Sequence, residues 1–91
     1  MSLDVGELAF DDENEAKLAA HGVTIEEVLQ VLDGAPRFFG NRRDRRATHV
    51  MLGPTFGGRL LVVPLEEWGS GIWRPVTAFD ADDEQRQRYR S

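Results

Sequence analysis

The apolar positions change period part-way along the chain. In the first third they recur at helical spacing, and each run is bracketed by capping signals. Asp12 followed three residues later by Glu15 reads as a capping box, with Ala16 to Ala20 continuing a helix that Gly22 stops. Thr24 and Glu27 repeat the pattern. Behind them Ile25, Val28, Leu29 and Leu32 form one face of an amphipathic helix that Gly34 and Pro36 end. From residue 36 the period shortens. PRFFGN (36–41), ATHVMLG (47–53), GRLLVVPLE (58–66) and GIWRPVTAF (71–79) are β-rich runs joined by short glycine-bearing turns, which favour antiparallel hairpins. The tail places acids before arginines, the order that suits a helix dipole, and predicts a last helix over 82–90.

The expected architecture is therefore a single α+β domain, 1–91. Two N-terminal helices precede a four-stranded antiparallel sheet and a C-terminal helix, with the helices on one face of the sheet. Pro64 and Pro75 fall inside strand runs. A proline cannot donate to a ladder, so each is expected at an edge or a bulge.

Charge changes the picture more than composition does. The 91 residues carry a formal net charge of −5, but unevenly. Residues 1–35 hold nine acids and one lysine, and residues 36–65 hold six arginines and one aspartate. Ten of the eleven cations are arginine, whose planar fork binds phosphate or carboxylate bidentately. NRRDRR, Asn41 to Arg46, packs four of them together. Arg42, Arg43, Arg45 and Arg46 are expected to bind a polyanion or an acidic partner rather than the chain's own acids. Exposed internal ion pairs would return only about 0–1 kcal/mol each. Cysteine is absent and the two histidines are far apart, so neither a disulfide nor a metal or other cofactor is expected. No apolar run approaches a membrane span and no signal-peptide pattern is visible, which suits a cytoplasmic protein.

Other positions invite chemistry. Arg74 shares a strand face with Ile72, Val76 and Ala78, so it must pair with an acid, reach the rim or line a site. Arg59 opens a strand after two glycines. His49 alternates against Thr48, Val50 and Leu52, and is the one candidate proton carrier near neutral pH. His21, just before the Gly22 stop, is placed to cap the last carbonyls of its helix. The aromatics Phe38, Phe39, Phe56, Trp68, Trp73 and Phe79 serve as core or as base-stacking surfaces.

HGVTIEEV (21–28), GRLL (58–61) and RPVTA (74–78), in this order and followed by a last helix bearing arginines and Tyr89, resemble the BrnT-type toxins of bacterial toxin–antitoxin modules. The resemblance runs from about Phe10 to Arg90. It implies a RelE-like ribonuclease fold, RNA cleavage without a metal, and neutralisation by a cognate antitoxin that itself binds operator DNA. It puts Arg59, Arg74 and Tyr89 in the catalytic set, and His49, the one candidate base by its own chemistry, is expected to complete it. The chain departs from the pattern at Phe79, where an arginine is common, and at Gln85, where a glutamate is common. Two alternatives stay open: a non-catalytic protein- or nucleic-acid-binding module on the same fold, and a toxin with another target, since related folds act on DNA gyrase.

Overall fold

The computed structural model describes residues 3–42 and 45–91; Arg43 of the arginine cluster lies outside them. A two-residue strand β1 (Glu7–Leu8) leads into helices α1 (Asp12–Ala20) and α2 (Ile25–Asp33). Strands β2 (Arg37–Gly40), β3 (His49–Pro54), β4 (Leu60–Gly69), β5 (Ile72–Pro75) and β6 (Phe79–Asp80) follow, and α3 (Asp83–Arg90) closes the chain. The sheet order is β1-β5-β4-β3-β2, and β6 pairs with β4. Every pairing is antiparallel except β1 with β5, so the sheet is mixed and has six strands rather than four.

Both proline positions explain a difference from the expected strands. Pro64 sits inside the central strand β4, opposite Val50. Its carbonyl accepts from the Val76 amide at 2.9 Å, so its absent N–H also faces that side rather than β3. There the neighbouring strand breaks: β6 flanks Leu61 and Val62, and β5 flanks β4 from Leu65 onward. The single run 71–79 is thus two strands split at 76–78. Pro75 is the last residue of β5, where its missing donor interrupts no ladder.

The first helix begins one residue earlier than the Asp12 box suggests. Asp11 is the N-cap, accepting from the Asn14 amide, while the Asn14 side chain accepts from the Asp11 amide. Asn14 is fully buried because its amide also donates to the carbonyls of Ala9 and Pro75, at 3.0 Å each. The Thr24–Glu27 box caps α2 as expected. The stop at Gly22 is a Schellman arrangement: the Gly22 amide bonds the Ala19 carbonyl and the Val23 amide bonds the Leu18 carbonyl. Gly22 has φ +67°. Gly22→Val should therefore cost about 1–2 kcal/mol through backbone conformation alone, because a Cβ there meets nothing within 4 Å. A melting temperature lower by several degrees is the expected reading.

Strand alternation divides the core. Met51, Leu61, Val63, Leu65 and Trp73 face α1 and α2, joined by Leu18, Val28 and Val31. Leu52, Leu60 and Val62 face the other way, with Ala81, and half-buried Phe39, Val50, Phe79 and Tyr89 pack on them. The helices therefore lie on both faces, not one. α3 contributes no buried residue.

Candidate functional site

Arg74 is the most deeply placed charge in the described structure, with 2% of its surface exposed. It sits opposite Glu66 across β4 and β5. Its guanidinium grips Asp11 with two bonds of 2.8 and 3.0 Å, and donates to Glu13 at 3.0 Å and Glu66 at 3.1 Å. Arg46 joins the same carboxylates, with a two-pronged contact to Glu66 and a bond to Glu13 at 3.1 Å. The Trp68 indole donates to Glu66 and its ring lies 5.5 Å from the Arg74 guanidinium. Hydrogen bonds from Arg74, then from the Asn14 backbone, hold the Asp11 carboxyl down at about 2. Glu13 is lowered by Arg74 first and Arg46 second. Burial pushes Glu66 up, but its bonds to Arg46 and Arg74 outweigh it and leave it lowered. All three carboxyls are thus more acidic in the fold than unfolded. Their contribution is complete above the ordinary carboxylate range and disappears as pH falls from about 4 toward 2. Thermal melts should show this as a loss of melting temperature across that window, and Asp11→Asn should flatten the slope.

Arg59 works as a second clamp. It binds Asp80 through two nitrogens, reaches Glu27 at 3.3 Å, and donates to the carbonyls of His21 and Gly22 at 3.1 and 2.8 Å. The Asp80 hydrogen bond raises its pKa, and Asp80 is lowered in turn. The turn after α1 is therefore capped by Arg59 rather than by the imidazole of His21, which lies tilted against Phe79.

The residues expected to share a catalytic centre are dispersed. Arg59, just before β4, and the Glu66–Arg74 pair, toward its far end, are seven residues or about 23 Å apart along the strand direction. His49 is on the α1–α2 face, edge-on to Trp73 with centroids 5.3 Å apart, and its Nδ1 is 3.0 Å from the Thr48 hydroxyl. Tyr89 donates its hydroxyl to the Ala35 carbonyl at 2.9 Å. His49, Arg59, Arg74 and Tyr89 do not face one concave surface, because the two arginines are consumed by carboxylates at separate places along β4 and His49 points to the side of the sheet opposite Tyr89. The arginine cluster also departs from expectation at Arg46, which pairs with Glu13 of the acidic N-terminal segment.

A different concavity stands out, on the α3 face. Because α3 is polar, it covers only part of the apolar sheet surface beneath it. The open remainder is a groove of about 550 Å³ between α3 and the segment 45–47. Val50, Val62 and Pro64 line it, with the Phe39 and Phe79 rings; Arg45, Arg46 and Arg88 supply guanidinium groups, and Asn41, Thr77 and Gln85 supply neutral polar ones. Arg88 stacks on Phe39 at 4.7 Å. Among the described residues neither Arg45 nor Arg88 has a carboxylate partner. Arg88 and the polar trio were legible from the sequence only indirectly. Apolar residues occur on both alternating faces of 49–54 and 60–65, yet the last helix has only Tyr89 to cover one of them.

This α+β fold is shared with a protein of known structure. The crystal structure of the Brucella abortus ribonuclease toxin BrnT superposes with a TM-score of 0.63 at 18% sequence identity, covering 85% of this chain and 97% of that one. The resemblance drawn from the sequence motifs thus extends to the three-dimensional fold. No protein-family model matches the chain, and no curated protein matches it in sequence.

Proposed function

We propose that the chain is a toxin-like, RNA-acting protein that seats single-stranded RNA in the α3-face groove, cleaves it without a metal ion, and is neutralised by a cognate antitoxin. The observation that carries this reading is the groove: Arg45 and Arg88, without carboxylate partners among the described residues, beside aromatic rings, on a fold shared with a ribonuclease toxin. Guanidinium groups hold phosphate oxygens with bidentate bonds, and aromatic and guanidinium planes accept unpaired bases. The overall negative charge does not oppose this, because charges more than about 8 Å away are screened at physiological salt. Attack of a ribose 2′-hydroxyl on its neighbouring phosphate needs that alignment together with cations at the developing charge.

A second reading, binding without cleavage, is favoured by the makeup of the groove. Its described lining residues include no histidine, aspartate or glutamate to take the hydroxyl proton. One assay separates the two: incubate the purified protein with labelled single-stranded RNA in EDTA, and follow both retention and fragment length. Fragments support the toxin reading. Retention of intact RNA supports the binding module, and no retention at physiological salt removes both. Arrest of a bacterial host on induced expression, relieved by the adjacent small protein, tests the toxin–antitoxin role in cells.

A further inference from the structure

The groove contains two side-chain amides whose orientations are fixed by the fold. Gln85 is the N3 residue of the α3 capping box, and its Oε1 accepts the Asp82 amide proton at 2.9 Å. That oxygen is committed, so Nε2 offers the groove only donors. Asn41, at the end of β2, is locked the opposite way. Its Nδ2 donates to the Ala47 carbonyl at 3.0 Å, which leaves Oδ1 as an acceptor. The flip of each amide is thus set by a backbone group of known polarity rather than by choice. Thr77 adds a hydroxyl, and Val50, Val62 and Pro64 supply apolar surface beside it.

A phosphate does not account for this pattern, since an anion is repelled by the Asn41 acceptor. A single ribose hydroxyl can accept from one amide and donate to the other, but it brings no flat apolar surface to Val50, Val62 and Pro64. The edge of a nucleobase carries donors and acceptors side by side on a flat apolar ring, and matches both the polar pair and the apolar surface. Resting on the RNA reading above, we infer that Gln85, Asn41 and Thr77 read the edge of one unpaired base, so that the protein discriminates among bases while the arginines hold the backbone.

The test is fluorescence anisotropy with labelled ten-nucleotide oligo(U), oligo(C) and oligo(A), using the wild-type protein, Gln85→Glu and Thr77→Val. A glutamate keeps the capping acceptor but replaces the donors with an acceptor, so the melting temperature should hold. The wild type should prefer one homopolymer. Gln85→Glu should shift the affinity ratio between the best and worst homopolymers by about fivefold, the scale of one hydrogen bond, and Thr77→Val by less. The added charge weakens all three RNAs equally and does not move the ratio. Equal wild-type affinities, or a uniform loss in Gln85→Glu, would overturn base reading and leave RNA binding intact. Failure of every homopolymer to bind would remove the RNA reading and this inference together.

Discussion

Arg74→Ala is expected to destabilise the domain by about 3 kcal/mol and to lower its melting temperature by more than about 10 °C. The arginine is buried, and its four hydrogen bonds hold three carboxylates that then repel one another. The loss falls at the lower end of the range for a broken buried pair, because Asp11 and Glu13 remain accessible to water and Arg46 still reaches Glu66. The motif alone points to the opposite result, an inactive but folded protein. Chemical denaturation of purified Arg74→Ala decides between them: an unchanged midpoint would mean that the hub is not what joins α1 to the sheet. Arg74→Lys should recover little, since a single ammonium cannot grip Asp11 with two prongs while also reaching Glu13 and Glu66.

The double substitution Arg45→Ala/Arg88→Ala should weaken RNA binding by at least about 100-fold with little effect on folding. Each guanidinium contributes a charge-assisted bond of about 1.5–3 kcal/mol to a phosphate, and none of that supports the fold. Arg45 is exposed, and Arg88 loses only its stack on Phe39. The same variant should lower the dependence of log affinity on log salt by about 1.4, the share of two phosphates on a single strand. An unchanged slope would place the phosphate contacts elsewhere. Arg59→Ala is the informative contrast, because its charge is spent on Asp80 and Glu27, and its loss should register in stability rather than in binding.

What could be read in the sequence was what local chemistry decides. Helix stops at Gly22 and Gly34, the Thr24 box and three of the four strand runs need only neighbouring residues and appear in the structure, while the fourth, 71–79, is split in two. The Asp12 box was displaced by one position because Asn14 is an equally good partner for Asp11. Only the distant carbonyl of Pro75 makes burying that asparagine favourable. β1 was invisible, since two residues carry no period and their pairing partner is 65 positions away. The same limit governs the site. An arginine on a strand announces a need for an anion but not whether the anion is RNA or Asp11, 63 residues earlier in the chain. Alternation puts His49 and Met51 on one face of β3, with Val50 and Leu52 on the other. That both faces are covered follows only once α3 folds back.

The hub has a consequence in time. Asp11 and Glu13 cannot meet Arg74, nor β1 its partner β5, until residue 74 has been synthesised and has cleared the ribosome. At about 5–20 residues per second, the first helix waits several seconds with its N-terminal acids unpaired. Arg46 comes out sooner, yet its other carboxylate, Glu66, comes out nearly as late as Arg74. The groove, floored by β3 and β4, also stays incomplete until α3 has been made, since Gln85 and Arg88 line it. A protein assembled in this order gains its working surface only after α3 has emerged, so a partner that recognises the groove meets the folded domain rather than its unfinished sheet.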